Sequence, residues 1–372
     1  MPITLWNLIV NVIAALIRDK YRRQSFRNIY KKKTKFRKLR DDNFRLLHEN
    51  KIIHNEISSL REELSQFKSA FSNYRWEWGR INSMAFISSP INNLYQHGPN
   101  SDVFLAIVCA AKNEGPYLKE WIEYHKLVGV ERFYFYDNLS EDNTKEVLDP
   151  YIIDGTVVYH KLPNHPITNI FPQIEAYNDA IYKYRDRTRW MAIIDVDEFI
   201  VPVEKDSIQD FLADYDPYPA VVANWVCFDS NGHLEKPTAH GGLVTANYTR
   251  VRKDHNHRLD RTIKSIVNPK LVINYISEHN GLYYHNLSGV SENFKPVRGI
   301  FSNVHSSDKI RINHYSIKSR EEYIKKISRN RRGFPLAYKF KEEALNFKGE
   351  TLDDMVIQKF VQRLKQVLVI NE

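Results

Sequence analysis

Cysteine is nearly absent: two residues in 372, Cys109 and Cys227, cannot build a disulfide framework, which favours a reducing compartment. Glycine is sparse as well, 13 in all, and only Gly115 follows the first apolar run of the central region, so a Gly-rich phosphate loop is excluded there. Nor is there a long apolar stretch to cross a bilayer comfortably. Pro2–Ile17 would make a helix of about 24 Å against the roughly 30 Å of a hydrocarbon core. Internal repeats and low-complexity tracts are missing too.

What is present at the N-terminus is charge of one sign. Arg18–Arg40 holds twelve Lys and Arg and one acid, Asp19, a local net of +11, which leaves −2 for the rest of a chain whose total is +9. Such a segment suits nucleic acid or anionic lipid, and its contiguity with the apolar run 1–17 favours lipid. Thr4, Asn7, Asn11 and Arg18 form one polar stripe on that run, the pattern of a helix lying in one leaflet; a helix packed on the body of the protein is the competing reading. Basic residues that follow the apolar run argue against a cleaved signal peptide. Asn138, Asn247 and Asn286 lie in Asn-x-Ser/Thr triplets. A glycan at Asn138 would obstruct the acidic turn described below, so the expected location is the cytoplasmic face of a membrane, without nucleic acid as a partner.

From Phe36 to Phe71 apolar residues and two asparagines (Asn43, Asn50) recur at spacings of 3 and 4 for five heptads. The spacing predicts a parallel coiled-coil dimer over 36–71, with a single amphipathic helix as the alternative. Residues 72–101 lack periodicity and read as a linker. A basic helix follows Arg320, stopped by Gly333 and Pro335, and a final helix is expected over Asp353–Ile370 with Met355, Phe360 and Leu364 on its apolar side.

The central region alternates apolar strands with helices. Val103–Ala111 (VFLAIVCAA) and Arg132–Tyr136 (RFYFY) are apolar throughout, and helices follow from Tyr117 and after Thr144. Strands of that kind belong to a mainly parallel sheet covered on both faces, whose ligands bind beyond the carboxyl ends of the strands. Three strands end there in polar clusters: Asn113/Glu114, Asp137/Asn138 and Asp195/Asp197. The last lies in Trp190–Pro202 (WMAIIDVDEFIVP), where an Asp-x-Asp-Glu interrupts buried chain. Carboxylates at the edge of a core need an offsetting cation or hydrogen bonds, and a divalent metal carrying a diphosphate meets that need; a solvated acidic turn is the plainer alternative.

CAAKNEGPYLKEWIEYHKLVGVERFYFYDNLSEDNT, IDVDEF and INHYSIKSREEYIKK, in that order, resemble GT-A-fold glycosyltransferases of the branch that joins family 2 to family 92, the "domain of unknown function 23" relatives. The resemblance runs from about Asp102 to about Gly333. It implies a Rossmann-like, mainly parallel twisted sheet in a domain assigned to residues 102–345, and the helix read above from its apolar pattern occupies the C-terminal segment 346–372. It implies that Asn113 and Glu114 line the nucleoside pocket, that Asp137 and Asn138 face base and ribose, and that Asp195 and Asp197 hold a sugar nucleotide and Mn2+ or Mg2+. His314 is the first choice for a further metal ligand and His279 the second, although a histidine bonded to backbone is the commoner role. Lys264 and Lys318 are candidate sources of positive charge near the phosphates, or solvated surface lysines. Trp225–His233 (WVCFDSNGH) resembles the family's acceptor-side segment but carries Asp229 where the family has glycine.

The reading is a metal-dependent, inverting transferase of a hexose, galactose as first choice, from a UDP-sugar to a carbohydrate or lipid-linked acceptor. An inverting displacement needs one base and no covalent intermediate. Glu235 leads for that role and Glu198 follows, because strand alternation turns Glu198 away from Asp197. The alternatives are a nucleotidyltransferase on a similar sheet, which would want the missing Gly-rich loop, and a membrane-bound coiled-coil scaffold with an inactive transferase domain.

Overall fold

The computed structural model describes residues 102–162, 172–255, 257–328 and 345–370. The apolar helix, basic segment, coiled coil and linker expected over residues 1–101 lie outside the described residues. The chain divides into the units Met1–Ile91 and Asn92–Glu372, and everything described belongs to the second.

Strand β1 (Val103–Ala111) forms over the apolar run that predicts it, and β2 (Arg132–Asp137) extends one residue further than expected. Helix α1 (Gly115–Leu127) joins them, starting at Gly115-Pro116 where proline needs no N–H partner. Helix α2 (Thr144–Ile153) leads to β3 (Val157–Lys161), and α3 (Pro172–Tyr184) to β4 (Thr188–Ile193). These four strands are parallel, in the order β3-β2-β1-β4. Side chains of β1 alternate between two apolar layers. Leu105, Ile107 and Cys109 pack with α1 and α2, while Ala106 and Val108 pack with Ala176, Tyr177 and Ala180 of α3, so helices cover both faces. An all-apolar strand is what a position between two covered faces requires.

Past β4 the sheet becomes mixed. After β5 (Glu198–Pro202) come β6 (Ala220–Cys227), β7 (Arg250–Arg252) and β8 (Ile263–Val267); β8 runs antiparallel to both β4 and β6. The hairpin β9 (Val272–Tyr275) and β10 (Gly281–Tyr283) lies apart, and β11 (Gly289–Val290) with β12 (Pro296–Val297) closes the far edge. Strand β13 (Ile310–His314) joins β6 in parallel and β5 antiparallel, in a register that sets His314 beside Glu198 and Cys227. Helix α4 (Arg320–Ser328) follows.

Strand β14 (Thr351–Asp353) pairs with β7, so the final helix α5 (Gln358–Leu368) begins five residues later than its sequence pattern suggests. Asp354 is drawn into a buried ion pair with Arg311, and Met355, expected on the apolar side, is 58% exposed. Phe360, Val361 and Leu364 are buried, with Phe360 edge-on to Tyr124 of α1. Both cysteines are buried and free. Among the described residues, no helix is long and apolar enough to cross a membrane.

Candidate active site

Helix α1 fixes the acidic turn. Trp121, Tyr124 and His125, spaced i, i+3, i+4 on one face, bond the backbone of β5. The Trp121 indole N–H donates to the Glu198 carbonyl (2.8 Å), the Tyr124 hydroxyl donates to Ile200 O (3.1 Å), and His125 Nε2 accepts from Ile200 N–H (3.2 Å). With β13 on its other edge, β5 thus has partners on both sides. The turn itself closes through Glu198 N–H to Asp195 O (3.1 Å) and Asp195 N–H to Glu198 Oε2 (2.9 Å). The Tyr315 N–H, just past β13, reaches Asp197 O at 2.9 Å.

Each carboxylate of the turn meets a lysine. Lys264 of β8, 1% exposed, lies 3.0 Å from Asp195 Oδ2 and 3.4 Å from Glu198 Oε2. Burial opposes its charge, yet Asp195 and Glu198 outweigh burial and hold the ammonium protonated. Asp195 Oδ1 also accepts from Gln173 Nε2 (2.7 Å) and, more loosely, from the Tyr177 hydroxyl (3.4 Å). Glu198 is wholly buried, and burial, together with the charges of Asp195 and Asp197 and against the pull of Lys264, pushes its carboxyl up to about 8. Its Oε1 has no hydrogen-bond partner among the described residues, in keeping with a neutral acid.

Asp197 Oδ2 accepts from Lys326 Nζ of α4 at 2.6 Å, and His314 Nε2 stands 3.8 Å from the same oxygen. Burial works against the Asp197 charge, but Lys326, His314 and Lys318 overcome it and keep the carboxyl far below the usual range. The His314 ring packs 4.0 Å from that of Trp225, centre to centre, and its buried Nδ1 has no partner among the described residues. Burial holds this imidazole down at about 4, hence neutral at pH 7 and able to ligate a metal. His279 also packs edge-on against Trp225, with Nδ1 3.1 Å from the Ile263 carbonyl, the backbone-bonded role. Lys318, 7% exposed and at positive φ, lies over the Tyr117 ring with Nζ 3.5 Å from Tyr315 O. It is buried and not a surface lysine. Glu114 acts electrostatically on both Lys318 and Lys326.

Asn113, Asp137 and Asn138 form a clasp between the β1 and β2 loops. Ser140 Oγ accepts from Asn113 N–H (2.9 Å), Asn113 Oδ1 accepts from Glu141 N–H (2.7 Å), and Asp137 accepts from Ser140 N–H and the Tyr159 hydroxyl. Asn138 N–H donates to Ala111 O (2.8 Å). Gly115 packs closely beside the start of α2, where a Cβ would displace the Asn143 side chain and stand 3.0 Å from Thr144 N. Asp229 is buried and staples its loop: it accepts from Asn231 N–H, Phe347 N–H and Arg250 Nε, which explains a carboxylate where the family pattern has glycine. Glu235, in the same loop, is exposed.

Glu114, Asp195, Asp197, Lys264, His314 and Lys318 therefore gather around one turn, with Glu198 sealed beneath it. Gln173, Tyr177 and Lys326 join them without a sequence signal of their own, apart from the i, i+4 spacing of the first two. Among the described residues no three His, Cys, Asp or Glu side chains form a ready cluster for a cation. The donors still fit magnesium or manganese, because Asp197 and His314 converge and such ions take few protein ligands, filling their shell with water and substrate phosphate.

Residues 107–368 match the family model for glycosyltransferase family 92. A glycosyltransferase family 92 protein of Oryza sativa subsp. japonica is 25% identical over 205 residues, 53% of this chain and 34% of that protein. A galactan beta-1,4-galactosyltransferase of Arabidopsis thaliana is 27% identical over 210 residues, 50% of this chain and 40% of its own. The chain thus spans well under half the length of these curated relatives. Among solved structures, Staphylococcus aureus TarS 1-349 in complex with UDP is a slight likeness, with a TM-score of 0.30 and 12% identity over 45% of this chain and 47% of that one.

Proposed function

This chain belongs to glycosyltransferase family 92, and from that membership we propose that it is a GT-A-type, inverting transferase that moves a hexose, galactose as first choice, from a UDP-sugar to a carbohydrate or lipid-linked acceptor. The observation that carries the proposal is the Asp195/Asp197 turn at the carboxyl edge of a parallel sheet, ringed by Lys264, Lys318 and Lys326. Family membership favours a sugar transferase over a nucleotidyltransferase.

Asp197 and His314 would hold Mn2+ or Mg2+, and the bound ion would supply Lewis-acid stabilisation of the departing diphosphate. Lys318, with few partners of its own, meets the same developing charge, and Lys264 fixes Asp195 toward the ribose side. Asn113, Glu114, Asp137 and Asn138 border the nucleoside. For the acceptor proton, Glu235 is the carboxylate with access to solvent, whereas Glu198 is sealed behind Lys264. His279 serves as a wall against Trp225. Residues 1–40 would tether the enzyme to the cytoplasmic face of an anionic membrane, and 36–71 would pair two copies.

A thermal-shift series with nucleotide sugars, with and without manganese, tests the proposal. A donor at 100 times its dissociation constant adds about 2.7 kcal/mol. UDP-galactose should stabilise the protein only when the metal is present. A protein indifferent to every UDP-sugar would instead be the inactive scaffold.

A further inference from the structure

Asp197 offers its Oδ2 to Lys326 at 2.6 Å, closer than any other charged group among the described residues, with His314 Nε2 at 3.8 Å from the same atom. Lys326 also donates to Ser316 O (2.9 Å), and its side chain is 36% exposed on α4. That ammonium therefore differs from Lys264, which is 1% exposed and held between Asp195 and Glu198. An oxygen bound to an ammonium at 2.6 Å cannot also coordinate a divalent ion without setting two cations within a few Å, which repel by several kcal/mol even at the screening of a protein surface. A cation that takes the oxygen His314 also faces must displace the lysine. A four-carbon stem on a half-exposed helix lets the ammonium swing away while the helix stays in place. Lys318 and Glu114 lie within electrostatic reach, so the freed charge stays beside the same pocket.

We propose that Lys326 is a displaceable counter-ion: it neutralises Asp197 until a divalent cation takes that oxygen, and its released ammonium then binds the donor diphosphate beside Lys318. The idea rests on the metal-dependent reading above and adds an order of events, cation in, lysine out, diphosphate captured. It also gives one residue two opposed effects, since Lys326 competes with the metal but cooperates with the nucleotide. A purely structural ion pair would not do both.

Calorimetry with the full chain and MnCl2 alone, then with UDP at saturating manganese, separates the effects. Lys326→Met should bind manganese at least about tenfold more tightly than wild type, the scale of a typical coupling between sites, and should bind UDP more weakly by a similar factor. Lys326→Arg, which keeps the charge, should stay near wild type in both. Equal manganese affinity in wild type and Lys326→Met would overturn the exchange while leaving a metal-dependent enzyme in place. Failure of either protein to bind manganese, with UDP bound regardless, would overturn both the exchange and the metal-dependent reading.

Discussion

The buried Lys264 and the partly exposed Asp195 form an ion pair, 3.0 Å between Nζ and Oδ2, that ties β8 to the acidic turn after β4. Lys264 also lies 3.4 Å from Glu198 Oε2, so removing it takes the shared cation from both Asp195 and Glu198.

Lys264→Met should therefore destabilise the fold by about 3–5 kcal/mol, the range for breaking one side of a buried pair. Glu198 is already a neutral acid at pH 7 and Asp195 is 27% exposed, which brings the loss toward the lower end. Urea denaturation at pH 7 measures this. A loss below 1 kcal/mol, the usual size for an exposed pair, would contradict the buried-pair description.

His125 makes acid stability a second test. Its Nδ1 faces the Trp121 carbonyl at 2.8 Å and so carries the proton, leaving Nε2 to accept from Ile200 N–H. Burial holds the ring down at about 3, against about 6.5 for an unfolded histidine. The unfolded chain takes a proton below that upper value and the folded one does not, so this contribution is complete above it and is lost as pH falls toward 3. The loss is about 1.4 kcal/mol per pH unit. His125→Phe should cost stability at pH 7 but show a shallower decline between pH 6 and 4 than wild type, and parallel declines would argue against a neutral buried imidazole.

Much of this was legible in the sequence because β1, β2 and the end of β4 are apolar on both faces, which marks them and the approach to Asp195 without tertiary knowledge, whereas the edge strand β3 (VVYHK) carries no such signal. The carboxyl ends of those strands then located the acidic turn. Lys326 and Gln173 were not legible, since their approach depends on how α4 and α3 lie over the sheet, and a lysine in a basic helix looks like any solvated one. The late start of α5 has the same origin: an amphipathic pattern cannot reveal that Asp353 pairs in a strand or that Asp354 is claimed by Arg311. Asn113, Asp137 and Asn138 stand out in the sequence at strand ends, but the hydrogen bonds that make their loops a clasp required the fold.

The seam from Phe36 to Phe71 carries a prediction of its own. Ile57→Asp with Leu60→Asp would bury charges in the proposed coiled coil and should convert a dimer to monomers. Multi-angle light scattering reads the mass directly, and a monomeric wild-type protein would refute the pairing.

The central claim, a metal-dependent sugar-transfer centre at the acidic turn, is tested most directly by the turnover of Asp197→Asn with UDP-galactose and manganese. Asparagine keeps the size and can still accept from Lys326 and leave the Tyr315 bond to the Asp197 carbonyl intact, so the fold should survive while the charge that draws the cation is gone. Loss of several kcal/mol of transition-state stabilisation corresponds to a fall in kcat of about a thousandfold. The expected result is that fall, with a cooperative unfolding transition kept in the absence of ligand at a melting temperature lowered by the loss of the Lys326 ion pair. Turnover near the wild-type rate would contradict the account.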